Sequence, residues 1–91
     1  MTGFSFATAL PIVKAGGRVA RRGWNGANMF IFLVNGSRFT VNRPPLLGIY
    51  PEGTVIDYRA HIDMKTVDGS IVPWVASQTD LLADDWYEVS A

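Results

Sequence analysis

The fold is decided by residues 60–74, AHIDMKTVDGSIVPW. From Ala60 to Thr66 apolar and polar side chains alternate, which is the period of a β-strand with one buried face. The Asp68-Gly69 pair that follows is typical of a tight hairpin turn, and Ser70–Trp74 then returns as a partner strand. The stretch therefore predicts an antiparallel β-hairpin.

The rest of the chain extends this hairpin into a sheet. Further strands are predicted at Arg18–Arg21, Met29–Val34, Arg38–Val41, Val55–Arg59 and Asp85–Val89. The turn signal Asn35-Gly36-Ser37 predicts that the second and third of these strands form a hairpin with each other.

One helix is predicted ahead of the sheet. Ser5 is a suitable N-cap, and Gly16-Gly17 is a suitable end, for a helix running to about Ala15. Pro11 removes a backbone donor, so we expect this helix either to begin later or to be kinked. The predicted fold class is α+β, with a short N-terminal helix packed on an antiparallel sheet of five or six strands.

Composition limits the classes of protein that the chain can belong to. Its 91 residues predict a single domain spanning 1–91, and a 48% apolar content is typical of a folded chain. There is no cysteine, which excludes disulfides, and there is a single histidine. No apolar run approaches the roughly 20 residues that span a bilayer, and the N-terminus lacks the pattern of a signal peptide. We expect a cytoplasmic protein without a membrane partner.

The charges are unevenly distributed along a chain whose net charge is zero. Residues 1–50 carry six basic residues and no acid, whereas residues 51–91 carry eight acids and two basic residues. This asymmetry is compatible with an anion-binding face in the first half, or with pairing between the halves. The neutral total argues against a nucleic acid polymer as a partner.

Catalytic chemistry finds little support in the sequence. His61 has Asp63 two residues on, but no nucleophile-elbow sequence accompanies them, and His61 falls in a predicted strand. Asp84-Asp85 falls beside a predicted turn, which is typical of a solvated cap rather than an acid–base pair. No Walker or GxGxxG sequence occurs. We therefore predict that the protein is not an enzyme and holds neither a cofactor nor a metal.

A loop of residues 21–26 is a better candidate for binding. It places the Trp24 indole beside the Asn25 amide and the guanidiniums of Arg21 and Arg22, either of which could meet a phosphate, between glycines that let the backbone approach a ligand closely. An indole can stack on a purine base, and an arginine can donate paired hydrogen bonds to a phosphate. The segment fits a structural role equally well, with Trp24 folded back over a small core.

Two further candidates lie later in the chain. Trp74 precedes a run of short polar residues, 77–80, which can hydrogen-bond ribose and base edges or cap the turn that follows. Arg43 precedes Pro44-Pro45, a stiff segment that could direct its guanidinium towards an anion. The candidate ligand-binding residues are Trp24, Asn25, Arg22, Arg43, Trp74, Ser77, Gln78, Thr79 and Asp80.

The order of these segments resembles that of a family of small phage and prophage proteins. The resemblance rests chiefly on residues 18–26 (RVARRGWNG), 29–34 (MFIFLV), 40–46 (TVNRPPL), 61–65 (HIDMK) and 72–86 (VPWVASQTDLLADDW). Each motif is short, but their order and combination are specific, and they cover nearly the whole chain. The family is that of the second type of Thoeris anti-defence protein, a phage sponge.

The resemblance implies a function. Thoeris is a bacterial immune system in which a TIR-domain enzyme makes a cyclic ADP-ribose isomer that activates an effector. Members of the family bind this signal, a glycocyclic ADP-ribose, without cleaving it, in pockets at the subunit interfaces of a homotetramer. Some also hold cyclic di- or trinucleotides at separate sites. Carried onto this chain, the resemblance implies that Trp24 stacks on adenine, with Asn25 beside it and residues 74–80 contributing from the same or a neighbouring subunit.

Two other functions compete with signal binding. An enzyme that degrades the signal would turn it over at substoichiometric protein. A structural or protein-interaction module of phage origin would use its aromatic side chains as a contact surface and bind no cyclic nucleotide. Pro11 departs from the helix-forming residue that the family carries at this position, which bears on the helix and not on the binding motifs.

Overall fold

Seven strands and two helices make up the part of the chain that the structure, a computed structural model, describes, residues 3–90. In chain order the elements are α1 (Phe6–Lys14), β1 (Val19–Arg21), β2 (Phe30–Val34), β3 (Ser37–Thr40), β4 (Val55–Tyr58), β5 (His61–Lys65), β6 (Ile71–Pro73), α2 (Gln78–Leu82) and β7 (Trp86–Glu88). Five strands form an antiparallel sheet in the order β6-β5-β2-β1-β7, and β3 and β4 form a separate two-stranded sheet. The predicted α+β class is confirmed.

The hairpin predicted from residues 60–74 is present as the β5–β6 pair. Met64 lies opposite Val72, and the Asp68 carboxylate closes the turn by accepting hydrogen bonds from the Ser70 backbone at 3.0 Å and from the Thr66 hydroxyl. These bonds, that from Thr66 foremost, lower the pKa of Asp68 to about 2. Pro73 is tolerated because β6 is an edge strand.

The core lies between α1 and one face of the sheet. Ala9 and Val13 of the helix are fully buried against Val19, Ile31 and Trp86 of the sheet. The helix begins at Phe6, directly after Ser5, and so does not begin later to avoid Pro11. Pro11 lies inside the helix at an exposed position. Ser5 occupies the N-cap position, but its side chain makes no capping hydrogen bond.

The predicted hairpin between β2 and β3 is wrong. Strand β2 is already paired along both edges, with β1 on one side and β5 on the other, so β3 has no edge to join. The chain leaves the sheet at Gly36, which packs against the backbone of residues 58–60. A Cβ at Gly36 would lie 2.7 Å from the carbonyl oxygen of Tyr58, so the two chain segments cross closely here.

Strands β3 and β4, with the loop between them, form a projecting arm, residues 36–59. Its strands pair only with each other, and every residue of β3 is exposed. The molecule is 53 Å long and 27 × 26 Å across. Its radius of gyration of 16.3 Å exceeds the value of about 12 Å expected for a compact chain of this length. Several large apolar side chains of the arm are exposed, namely Phe39, Ile49, Tyr50, Val55 and Tyr58.

No helix among the described residues has both the length and the apolar character needed to cross a bilayer.

Candidate functional site

An ion-paired cluster lies where β1 ends. Arg21 extends from the helix-facing side of the sheet and donates from Nη1 to Asp80 Oδ1 and from Nε to Asp85 Oδ1, each at 2.8 Å. The side chains of Arg21 and Asp80 are only 13% and 12% exposed, so this pair is largely desolvated. A guanidinium can bridge two carboxylates in this way because its donors form a rigid, planar fork.

Asp80 is placed by the start of helix α2. Ser77 is the N-cap: its hydroxyl accepts from the Asp80 backbone at 3.0 Å, and Asp80 Oδ2 accepts from the Ser77 backbone at 3.2 Å. This reciprocal pair is a capping box, and it satisfies two backbone donors at the helix start. The predicted capping of this turn by Ser77 is therefore confirmed, and the cap fixes the Asp80 carboxylate beneath the loop that carries Trp24.

Trp24 is tied to Asp80. Its Nε1 donates to Asp80 Oδ1 at 3.2 Å, and its ring meets that of Trp86 edge-on, with centroids 5.3 Å apart. The Trp24 side chain is half-buried, so it is neither sealed in the interior nor free in solvent. Because its single N–H donor is engaged, the exposed part of the indole offers ring surface and not hydrogen bonding.

Trp74 flanks the same buried ring from another direction. Its centroid lies 6.2 Å from that of Trp86, nearly perpendicular, and 6.0 Å from that of Phe6. Trp86 itself is fully buried and donates from Nε1 to the backbone oxygen of Asp80 at 3.0 Å. Trp24, Trp74 and Asp80 therefore surround one ring. Together with Trp86, Arg21 and Asp85 they form what is called here the aromatic–acidic cluster.

The charges of the cluster are held in place by hydrogen bonds. Burial raises the pKa of Asp80, but hydrogen bonds from Arg21, Ser77 and Trp24 outweigh burial and bring that pKa below its ordinary value. The hydrogen bond from Arg21 is the main cause of the lowered pKa of Asp85, which also accepts from the Gly23 backbone at 2.8 Å. The bond to Asp85 in turn raises the pKa of Arg21. At neutral pH the cluster holds two carboxylates against one guanidinium.

Three predicted site residues present polar side chains to solvent at the edge of this cluster. Asn25 follows Trp24 in the loop, and Gln78 and Thr79 occupy the first turn of α2, ahead of Asp80. All three are exposed, and none has a side-chain hydrogen bond within residues 3–90. Their amide and hydroxyl groups are available to a ligand.

The structure does not bring Arg22 and Arg43 to the cluster. Arg22 stacks over the Tyr87 ring at 4.4 Å. Because successive strand residues point to opposite faces, Tyr87 lies on the face of the sheet opposite Trp86. Arg43 lies in the arm, in an open cleft of about 840 Å³ that it shares with Arg38, Phe39, Thr40, Asn42 and Val55.

The pairing of Arg21 with two carboxylates was not predicted: Arg21 was expected, like Arg22, to meet a phosphate, and Asp85 was not expected in a site. Asp85 was expected to be solvated, yet it binds both Arg21 and the Gly23 backbone. Pairing between the basic first half and the acidic second half, one of the two interpretations of the charge asymmetry, is confirmed: Arg21–Asp80, Arg21–Asp85 and the exposed Arg38–Asp57 pair at 3.1 Å all join one half to the other.

His61 has an aromatic and an acidic neighbour. The His61 ring stacks on Tyr58 with centroids 4.8 Å apart, and no serine hydroxyl within residues 3–90 is hydrogen-bonded to it. Its Nε2 lies 3.7 Å from the Asp63 carboxylate. Across the same residues, no group of His, Cys, Asp or Glu side chains is arranged to hold a metal ion.

The fold and the cluster together define a small α+β domain in which a half-buried indole, that of Trp24, is held by the largely buried Arg21–Asp80 ion pair. Residues 4–89 match the Tad2-like family, described as the Thoeris anti-defense 2-like domain, and the chain belongs to this family. It is 43% identical over 89 residues to a protein named Thoeris anti-defense 2 from Bacillus phage SP01, a match that covers 98% of each chain. The family is one of phage proteins that counter Thoeris defence and is not defined by an enzymatic activity.

Proposed function

We propose that this protein binds a cyclic ADP-ribose isomer, a glycocyclic ADP-ribose, and sequesters it without cleaving it. By holding the signal in the cytoplasm of the infected or lysogenic host, it keeps the Thoeris effector inactive. The observation that carries the proposal is the state of Trp24 in a chain of the Thoeris anti-defence family: half-exposed, with its N–H bonded to Asp80.

The tether of Trp24 suits it to stack on an adenine. A ring that is already held in one orientation loses little conformational freedom when a base stacks on it, and lost freedom is a main cost of binding. Stacking of a base on an aromatic side chain contributes about 1–3 kcal/mol. Stacking alone does not select a base, so selectivity falls to the polar groups nearby.

Those polar groups are Asn25, Gln78 and Thr79. Their exposed amides and hydroxyl can meet base edges and ribose hydroxyls beside the Trp24 ring. Ser77 and Asp80 were predicted to touch the ligand, but the side chain of each already forms a hydrogen bond with the backbone of the other. The Asp80 carboxylate also accepts from Arg21. We therefore assign these two residues a supporting role, and Trp74 a share in the aromatic wall.

Arg22 and Arg43 can serve the diphosphate only if subunits come together. Arg22 lies on the opposite face of the sheet from Trp24, and Arg43 lies on the arm. In the proposed homotetramer, each would reach the Trp24 cluster of a neighbouring subunit. The arm supports this assembly, because a two-stranded sheet with exposed apolar residues is marginally stable alone and gains from being covered.

Sequestration fits the chemistry of the cluster. Holding a ligand requires affinity for its ground state and no stabilisation of a transition state. The two carboxylates are both paired with Arg21, and the lowered pKa values of Asp80 and Asp85 make neither a proton donor at neutral pH. The same cluster gives no support to the alternative of a signal-degrading enzyme.

Isothermal titration calorimetry with a panel of cyclic ADP-ribose isomers and cyclic di- and trinucleotides tests the proposal. We expect a glycocyclic ADP-ribose to bind the wild type, and Trp24→Ala to weaken binding about 5- to 150-fold, the equivalent of one lost stack. Trp24→Phe keeps a ring but lacks the N–H, and should lie between the two. If the folded wild type binds no member of the panel, the interaction-module alternative replaces this proposal.

The assembly is tested separately by native mass spectrometry. The proposed homotetramer has four times the 10.0 kDa mass of one chain. A monomer at micromolar concentration would leave Arg22 and Arg43 without access to the Trp24 cluster and would remove them from the site.

A further inference from the structure

Arg21 joins the two carboxylates that hold the Trp24 loop. Asp85 Oδ2 accepts from the Gly23 backbone at 2.8 Å, and Asp80 Oδ1 accepts from the Trp24 indole at 3.2 Å. The same two carboxylates receive three of the donors of Arg21, with Asp85 Oδ2 the most distant at 3.4 Å. Loop residues 23 and 24 are therefore attached to the domain through acids whose positions Arg21 sets.

The loop also packs directly on this ion pair. A Cβ at Gly23 would lie 2.8 Å from Asp85 Oδ2 and 3.2 Å from a terminal nitrogen of Arg21, so a larger residue here would have to displace the charged groups. The Trp24 backbone N–H donates to the Arg21 carbonyl at 3.3 Å. Two side-chain anchors and one backbone bond thus converge on a loop of a few residues.

Without the guanidinium the two carboxylates could not keep these positions. The Asp80 side chain is 12% exposed and that of Asp85 is 33% exposed; without the guanidinium their like charges would repel, and each carboxylate would turn to water or take up a proton. Either response removes an acceptor from the Gly23 N–H or the Trp24 indole. A lysine in place of Arg21 would keep the charge but would offer a single nitrogen, which cannot reproduce the fork that spans both acids.

We propose that Arg21 is a positioning residue for ligand binding, which acts by holding Asp80 and Asp85 so that they fix the Trp24 indole. The inference rests on the proposed function, because it takes Trp24 as the stacking surface. Arg21 itself does not touch the ligand. Its effect on affinity therefore passes through Trp24, and that dependence separates positioning from a general contribution to the fold.

A double-mutant cycle tests this dependence. Affinity for the cyclic ADP-ribose isomer that the wild type binds is measured by calorimetry for Arg21→Lys, Trp24→Ala and the double variant. We expect Arg21→Lys to weaken binding about tenfold in the wild-type background and less than about twofold beside Trp24→Ala, because residues that act through one another are not additive. Arg18→Lys is the matched control, since Arg18 lies on the other face over Phe30, and should bind as the wild type does.

The indole ¹⁵N–¹H resonances give a readout that does not depend on ligand. Arg21→Lys should shift or broaden the Trp24 Nε1 signal, while the Trp86 signal, whose acceptor is a backbone oxygen, stays in place. If Arg21→Lys unfolds, Asp85→Asn replaces it in the cycle, since it keeps an oxygen for Gly23 but loses the charge. If Arg21→Lys lowers the affinity by the same factor with and without Trp24, or leaves the affinity unchanged, the positioning role of Arg21 is wrong and the proposed function still stands. A wild type that binds nothing would instead overturn the proposed function.

Discussion

Replacing Asp80 by alanine removes the central acceptor of the cluster. The Asp80 carboxylate accepts from Arg21 at 2.8 Å, from the Trp24 indole at 3.2 Å and from the Ser77 backbone at 3.2 Å. The variant leaves Arg21 with Asp85 as its remaining partner and leaves the Trp24 N–H without its acceptor. It also breaks half of the capping box of α2.

The size of the effect follows from burial. Removing one partner of a buried ion pair costs about 3–5 kcal/mol, because the other charge is left uncompensated. Arg21 keeps Asp85 here, so we expect the lower end, about 3 kcal/mol. For a domain of this length each kcal/mol lowers the melting temperature by about 4–8 °C, which gives a drop of about 12–24 °C.

Thermal unfolding followed by circular dichroism at pH 7 measures this drop. Asp84→Ala is the matched control, since it makes the same change of charge four residues later at an exposed position. Protein concentration is kept equal in all samples, because the melting temperature of an oligomer depends on it. If Asp80→Ala melts within about 4 °C of Asp84→Ala, a shift worth no more than 1 kcal/mol, the cluster does not hold the loop as described.

Three other outcomes follow from the same contacts. Asp80 and Asp85 have folded-state pKa values below the ordinary 3.8, so their contribution to stability is complete above pH 3.8 and is lost as the pH falls through the lower folded-state values. The free energy of unfolding, measured with urea from pH 7 to 2, should therefore fall at the acid end. Asp80→Asn should make this fall smaller. Trp86→Ala empties a fully buried position and should cost about 3–5 kcal/mol in urea unfolding, so a loss below 1 kcal/mol would contradict the described core. Gly36→Ala places a Cβ 2.7 Å from the Tyr58 carbonyl oxygen and should destabilise the chain by about 1–3 kcal/mol, and an unchanged midpoint would mean that the arm does not cross there.

Local signals in the sequence predicted the parts of the fold that neighbouring residues determine. The β5–β6 hairpin follows from alternation and an Asp-Gly turn, and the start of α2 follows from the spacing of Ser77 and Asp80. The β2–β3 hairpin failed although Asn35-Gly36 is a good turn signal. Its failure depends on strand β5, almost thirty residues later, which takes the edge of β2 that β3 would have needed.

In the cluster too, features set by neighbouring residues were predicted and contacts between distant residues were not. Trp24 and Asp80 were predicted as candidates because each stands in a suggestive local segment. Their contact, and the bridging role of Arg21, could not be predicted, since Arg21 and Asp80 are 59 residues apart in the sequence. The choice between a structural and a binding Trp24 was also open in the sequence, and the half-buried, tethered indole is compatible with both roles at once.

The proposed function requires that the protein hold the signal and release it unchanged. Protein and an equimolar amount of glycocyclic ADP-ribose are incubated and passed through a membrane that retains protein, and the retained fraction is denatured and analysed by mass spectrometry. Wild type should retain the nucleotide and return it at its original mass, and Trp24→Ala should let most of it pass. A hydrolysed product in the denatured fraction, or wild-type protein that retains no nucleotide, would contradict the proposed function.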